Sequence, residues 1–171
     1  MAEEKFLIDS NALITPHLQY YPFDLAPSFW RQMEEAICNG TIAILDMVKA
    51  EVLQGTDELC NWMDSLEIGN YVDRRETEIL AKYAEVLTHI QSNPCYKEAA
   101  LHEWSRESVA DPWLIATAAV YGYTIVTLEK PNANLHPNAP AKNAKIPDVA
   151  QALGVQTKDL FLLMRSLNFR L

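Results

Sequence analysis

The sequence of 171 residues has the length of one domain, and its 49% hydrophobic and 22% charged residues are ordinary for a soluble globular protein. A net charge of −9 argues against a generally basic surface for binding nucleic acid, because proteins that use such a surface carry the opposite sign. The acidic excess is compatible with solubility alone, or with carboxylates concentrated in a metal site.

Secretion, membrane insertion and zinc binding are not indicated. The longest apolar stretch, residues 113–121, is too short to span a bilayer, and the acidic start MAEEKF is unlike a signal peptide. Three cysteines are widely spaced without a CxxC pair, and the four histidines lack ligand spacing. We therefore expect a cytoplasmic protein without a membrane partner.

The chain begins with a predicted strand. The apolar run Lys5–Ile8 ends in the turn formers of residues 9–11, as a buried parallel strand does where it meets its loop. The prolines within residues 16–27 predict an irregular segment. Ser28 is then expected to cap a helix that Gly40 closes.

The middle of the chain continues the alternation of strands and helices. Thr41–Leu45 predicts a second strand ending at Asp46, and a helix is predicted over Met47–Leu53. Residues 58–103 have helical periodicity, which Asn93-Pro94 interrupts. Asp111 is predicted to cap a further helix that has proline at its first position.

A third strand and a loop follow. Tyr123–Leu128 predicts a strand ending at Glu129, and residues 130–147 predict a long loop with a brief strand near Ile146. Helices are predicted over residues 147–153 and, at the C-terminus, over residues 157–171. Without a repeat or linker, residues 1–171 form one predicted domain of the doubly wound α/β class, with a mainly parallel central sheet.

Carboxylates recur where these strands end. Asp9, Asp46 and Glu129 follow the three predicted strands, and open α/β sheets place their functional crevice at that edge. Glu51, on the helix after Asp46, could point back over the crevice, and Asp111 begins a helix facing the same edge. Because neighbouring like charges resist joint ionisation, such a cluster favours a divalent cation with oxygen ligands, Mg²⁺ or Mn²⁺. Two such ions can activate a water and stabilise the leaving oxygen of a phosphodiester.

Several segments resemble the PIN domains. FLIDSNALI, residues 6–14, is similar to their opening strand and loop, in which Asp9 matches the first catalytic aspartate. Glu51 in VKAEVLQG resembles the second acidic position, and Asp111 in VADPWLIATAAVYGYTIVTLEK the third. Glu129 falls at a fourth acidic position, where PIN domains commonly carry aspartate. The segments YYPFDLAPSFW and KIPDVAQALGV further resemble a little-characterised bacterial PIN-like family.

The resemblance implies a three-layer fold and an endoribonuclease that depends on Mg²⁺ or Mn²⁺, often the toxin of a toxin–antitoxin pair. RNA is then the substrate, and an antitoxin protein or a second copy of the chain is the implied partner. The implied catalytic and metal-binding residues are four: Asp9, Glu51, Asp111 and Glu129. We expect one asparagine and three lysines to position substrate: Asn11, Lys130, Lys142 and Lys145.

Other interpretations remain open for these residues. Asp46 fits a helix cap better than a ligand, Asn11 could only stabilise its loop, and the capping role of Asp111 is compatible with metal binding. One alternative function is a catalytically silent PIN-like module that binds a partner. Another is a phosphohydrolase of the haloacid dehalogenase type, although that class requires aspartate where this chain has Asn11.

Overall fold

Strands and helices alternate along residues 2–171, the part of the chain that the computed structural model describes. The strands are Phe6–Ile8 (β1), Ile42–Leu45 (β2), Tyr71–Val72 (β3), Thr124–Val126 (β4) and Thr157–Lys158 (β5). The helices are Asn11–Thr15 (α1), Pro27–Cys38 (α2), Asp46–Val52 (α3), Glu58–Ser65 (α4), Thr77–Ser92 (α5), Glu98–Trp104 (α6), Asp111–Tyr121 (α7), Ile146–Ala152 (α8) and Leu160–Ser166 (α9). A π-helical turn, Pro16–Tyr20, directly continues α1.

The strands form a parallel sheet in the order β3-β2-β1-β4-β5. Strand β1 is central, and its Phe6 is aligned with Ile42 of β2 on one side and with Thr124 of β4 on the other. Every residue of these three strands is buried, as expected where helices flank a parallel sheet. The predicted α/β class with a central parallel sheet is confirmed.

The chain divides into two compact units. The first comprises the residues up to Asp73 with Thr124–Leu128 and Lys158–Leu171. It contains strands β1 to β4, and helices α2 and α3 contact β2. The second comprises Arg74–Tyr123 and Glu129–Thr157, in which α7 packs against α5 and α8. The single domain predicted over residues 1–171 stays a prediction beside these two units.

Two expectations for the segment between β1 and β2 are wrong. The first is wrong for residues 16–20, which form the π-helical turn with Pro16 as its first residue, where the missing N–H of proline is tolerated; residues 21–26 are irregular as expected. Helix α2 begins at Pro27 with Ala26 as its N-cap, so Ser28 is not the cap. The fixed φ of proline suits the first helical position.

The edge strands β3 and β5 have two residues each and were not predicted. Just before β3 the backbone at Gly69 lies close to the end of α2, where the N–H of Gly69 donates to the carbonyl of Ile37 at 3.1 Å. A Cβ atom on Gly69 would lie 2.1 Å from the carbonyl oxygen of Cys38. Only glycine therefore fits at this position without a shift of the backbone.

The C-terminal expectations need two corrections. The brief strand expected near Ile146 is wrong, because Ile146 is the first residue of α8. Residues 157–171 are not one helix, since β5 comes first and α9 is confined to Leu160–Ser166. The carboxylate of Asp159 fixes the start of α9 by accepting a hydrogen bond from the N–H of Leu162 at 2.8 Å. Along residues 2–171 no helix is long and apolar enough to cross a bilayer.

Candidate functional site

The strand order creates a topological switch point between β1 and β4. From β1 the chain goes first to β2 on one side of the sheet and later to β4 on the other. In open α/β sheets, ligands bind at the carboxyl ends of the strands where the order reverses. Asp9 directly follows β1, and Thr127 directly follows β4. The first unit thus presents a carboxylate and a hydroxyl at the position where such sheets bind ligands.

Asp9 is held in place by both its backbone and its side chain. Its N–H donates to the carbonyl of Val126 at 2.9 Å, and the hydroxyl of Thr127 donates to its Oδ2 at 2.8 Å. Asp9 and Thr127 are only 6% and 2% exposed. A carboxylate this deeply buried is costly unless it is hydrogen-bonded or paired with a cation, so its position at the edge of the sheet requires these partners.

Asn11 completes the network from the first residue of α1. Its Nδ2 donates to the hydroxyl oxygen of Thr127 at 3.2 Å, and its Oδ1 accepts from the N–H of Leu128 at 3.0 Å. The Thr127 hydroxyl therefore accepts from Asn11 while it donates to Asp9, which fixes its orientation. The structure gives Asn11 the role of holding the chain after β4, and its predicted contact with substrate stays a prediction.

Thr127 was missed as a site residue. A threonine between valine and leucine near the end of a strand is a common pattern in buried strands. Its hydroxyl there most often only forms a hydrogen bond with a backbone group. The available signal was the V-T pair before Glu129, which belongs to the resemblance described above. Its bond to Asp9 depends on the pairing of β1 with β4, which no local pattern encodes.

The carboxyl end of β2 contributes a second acidic segment to the same edge. Asp46 is half-buried and is the first residue of α3, after an extended Leu45 that serves as N-cap. The expectation that Asp46 caps the helix is therefore wrong, and its charge instead lies in the first turn, where the helix dipole favours it. Glu51 lies near the other end of α3 and is exposed. Its carboxylate forms no hydrogen bond or ion pair with any described residue.

Asp111 occupies the second unit, as the first residue of α7. The N-cap is Ala110, which already has helical dihedral angles and whose side chain forms no capping hydrogen bond. The predicted capping role of Asp111 is wrong, since Asp111 is the first helical residue and the N-cap position belongs to Ala110. Pro112 at the start of the helix and the left-handed Gly122 at its end agree with the sequence.

Glu129 also has protein partners. Its Oε2 accepts a hydrogen bond from the N–H of Ile146 at 2.8 Å, and its Oε1 lies 3.7 Å from the ammonium of Lys145. The side chain of Glu129 is 21% exposed. Glu129 therefore serves the N-terminus of α8, whose first N–H groups lack partners within the helix.

The segment of residues 130–145 is held by hydrogen bonds at both ends and in its middle. Glu129 holds its end at α8, and the carboxylate of Asp148 accepts from the N–H of Asn132 at 2.9 Å. Midway, Ala141 exchanges backbone hydrogen bonds of 2.8 Å with residues 95 and 97. Of the lysines expected to position RNA, Lys145 is paired with Glu129, whereas Lys130 and Lys142 are exposed.

Comparison with known proteins identifies the family. The family model described as Domain of unknown function (DUF4411) matches residues 6–171. The chain belongs to this family. No curated protein matches the chain.

Within residues 2–171 of this DUF4411 chain, no three or more His, Cys, Asp or Glu side chains are grouped so that they could hold a metal ion. Asp9 and Glu129, two of the predicted ligands, accept hydrogen bonds from protein donors. The donor type of Asp9 and Glu51 nevertheless fits Mg²⁺ or Mn²⁺, which prefer carboxylate oxygens. The set of Asp9, Glu51, Asp111 and Glu129 stays a prediction.

Proposed function

We propose that this DUF4411 chain is an endoribonuclease that depends on Mg²⁺ or Mn²⁺, with Asp9 as its central metal ligand. One observation carries the proposal: the buried carboxylate of Asp9, held by the Thr127 hydroxyl, lies at the switch point between β1 and β4. The similarity of residues 6–14 to the opening of PIN domains suggests metal-dependent RNA hydrolysis as the chemistry at that position.

Each residue of the network has a distinct task in this mechanism. Asp9 would bind the cation, while Thr127 and Asn11 hold Asp9 in one orientation. A bound divalent ion would supply Lewis acidity, lowering the pKa of a water and stabilising charge on the scissile phosphate. Glu51, exposed and without a partner in the described chain, is available as a further oxygen ligand. This reaction requires no side-chain nucleophile.

A second candidate is a catalytically silent module, and the geometry of Glu129 favours it. That carboxylate is used by Ile146 and Lys145. If one acidic position serves as a structural cap, fewer ligands remain for a metal.

RNA cleavage separates these candidates. Purified chain is incubated with single-stranded RNA in millimolar Mn²⁺ or Mg²⁺ or in EDTA, beside the variants Asp9→Asn and Asp24→Asn. Asp24 is an exposed aspartate of the first unit and is the matched control for loss of one negative charge. We expect cleavage that requires the metal, is lost in Asp9→Asn and is kept in Asp24→Asn. Cleavage by Asp9→Asn at the parent rate would exclude Asp9 from the mechanism.

Thermal unfolding tests metal binding without activity. A ligand that binds only the native state stabilises it by about 2.7 kcal/mol at 100 times its dissociation constant. Mn²⁺ should therefore raise the melting temperature of the parent and of Asp24→Asn, and the rise should be smaller or absent in Asp9→Asn. A metal-induced rise without RNA cleavage would favour the silent module. The absence of both would contradict the metal site itself.

A further inference from the structure

The last helix of the chain leaves two large apolar side chains in solvent. Three residues form the buried face of α9: Leu160, Leu163 and Met164. Phe161 and Leu162 are each 45% exposed, and the ring of Tyr20, which is 51% exposed, lies 6.5 Å from that of Phe161. Single exposed apolar residues are ordinary, but neighbouring ones that form a patch mark interaction surfaces.

A pocket of about 350 Å³ opens beside this patch, within the first unit. Its size is at the low end of the range of about 300–1,000 Å³ that is usual for ligand pockets. The pocket is lined mainly by aromatic, methionine and arginine side chains: Tyr21, Phe161, Met164, Phe169, Arg165 and Arg170. Among the described residues lining it there is no Asp, Glu or Lys. Enrichment in aromatic residues, Met and Arg with depletion of Asp, Glu and Lys distinguishes protein–protein interfaces from other surface.

The wall of the pocket is fixed before any partner binds. After α9 the chain turns at Asn168, which has a φ of 57°. The backbone of Arg170 then pairs with the amide of Gln32, donating to Oε1 at 2.9 Å and accepting from Nε2 at 2.8 Å. The ring of Phe169 packs edge-on against Phe29 with centroids 6.1 Å apart. A preformed wall reduces the ordering cost of binding.

The charged side chains that line the pocket are opposite in sign to the net charge of the chain. Arg165 and Arg170 are exposed, and within residues 2–171 neither forms an ion pair with a carboxylate. The chain as a whole has a net charge of −9. We propose that this pocket with its two arginines, the C-terminal groove, binds a short acidic amphipathic segment of a partner protein. Apolar side chains of that segment would enter the pocket, and its carboxylates would pair with Arg165 and Arg170.

Two other occupants fit the groove less well. A symmetric contact with a second copy of the chain would bring the same patch of both copies together, and therefore arginine against arginine without an acidic lining residue to pair with. RNA would find the arginines and the rings, but the exposed aliphatic surface of Leu162 offers it little. A protein segment can contact the aromatic, aliphatic and cationic side chains of the groove at the same time.

A random peptide library displayed on phage supplies the probe. Peptides are selected on the parent chain alone, the enriched sequences are synthesised with a fluorescent label, and their binding is then compared with that of the double variant Arg165→Glu/Arg170→Glu. We expect enriched peptides that combine Asp or Glu with Leu, Phe or Trp. Fluorescence anisotropy should show at least tenfold weaker binding to the double variant and several-fold weaker binding to Phe161→Ser.

Matched controls keep the result specific to the groove. Arg31→Glu changes an exposed arginine of the same unit that does not line the pocket and should bind as the parent does. Circular dichroism melts show that the variants are folded, and Arg165→Gln, which removes charge without reversing it, gives a milder second variant. Enrichment of no peptide or of basic peptides, or equal binding by the double variant, would overturn the proposal.

Two further measurements address the other occupants. If an eight-nucleotide RNA binds the parent and loses binding in the double variant while the selected peptides do not, the groove is an RNA site and the proposal is wrong. If light scattering shows a dimer that the double variant dissociates, with peptide binding absent, a second copy is the occupant. None of these results depends on RNA cleavage, so this inference stands or falls apart from the proposed function.

Discussion

The same substitution at two buried threonines should have opposite effects on stability. Thr127 is 2% exposed, and its hydroxyl donates to Asp9 while accepting from Asn11. Thr117 is 0% exposed, and its hydroxyl oxygen has no hydrogen-bond partner in the described chain. Replacing either residue by valine keeps the shape of the side chain and exchanges its hydroxyl for a methyl group.

The structure sets the expected magnitudes. A hydrogen bond to a charged group contributes about 1.5–3 kcal/mol, so Thr127→Val should lower the free energy of unfolding by about that amount. For a chain of this length about 1 kcal/mol changes the melting temperature by roughly 2–4 °C, which predicts a decrease of about 3–12 °C. Thr117→Val removes an unpaired buried hydroxyl, whose desolvation costs about 1–3 kcal/mol, so stability should be unchanged or raised.

Chemical denaturation gives both values directly. Urea unfolding of the parent and the two variants, followed by circular dichroism, yields the free energy of unfolding and its slope with denaturant. RNA cleavage with Mn²⁺ is the second readout, and it should fall in Thr127→Val, because Asp9 loses a group that orients it, but not in Thr117→Val. If Thr127→Val is no less stable than Thr117→Val, the network at the switch point does not hold Asp9 as we infer.

Three further outcomes are expected. Gly69→Ala should lower the free energy of unfolding by about 1–3 kcal/mol in urea titration, because the added Cβ meets a backbone oxygen at 2.1 Å, while Gly55→Ala, whose nearest atom is 3.3 Å away, should cost less. The hydrogen bond from a lysine holds the pKa of Glu4 below its usual value, so its stabilisation is present above about pH 4.5 and is lost as the pH falls through the folded pKa. Melting curves of Glu4→Gln and parent should accordingly differ at pH 7 and converge as the pH falls below the folded pKa of Glu4, and a constant difference would contradict the pairing. Lys142→Ala should reduce RNA affinity and its dependence on salt more than Lys145→Ala does, because among residues 2–171 Lys145 has an ion-pair partner and Lys142 has none. Equal salt slopes would count against the loop as an RNA contact.

Much of the sheet could be predicted from local sequence, because the buried parallel strands are short apolar runs that end in polar residues. Asp9 and Asp46 were placed at the carboxyl edge on that basis, and both lie there. Strands β3 and β5 could not be predicted, since two residues carry no periodicity. Their positions depend on tertiary contacts such as the approach of Gly69 to Cys38.

The candidate site was less predictable than the sheet. The hydroxyl that holds Asp9 comes from Thr127, whose partner is 118 positions earlier in the chain. Glu129 was identified by its place after a strand, but its bonds to Ile146 and Lys145 arise where a loop of the second unit returns to its own start. Sequence pattern locates a residue on an element, whereas its partners depend on how distant elements pair.

Because β1 is the central strand, the sheet can be completed only late during synthesis of the chain. One edge of β1 can pair with β2 as soon as residue 45 has been made, but the other edge waits for β4. At about 5–20 residues per second, the 118 positions between Asp9 and Thr127 take roughly 6 to 24 s to translate. During that interval an apolar strand has an open edge, which is the kind of surface that pairs with other chains. A premature stop before β4 would leave this edge of β1 unpaired and the chain without the hydroxyl that holds Asp9, so we expect the truncated product to aggregate.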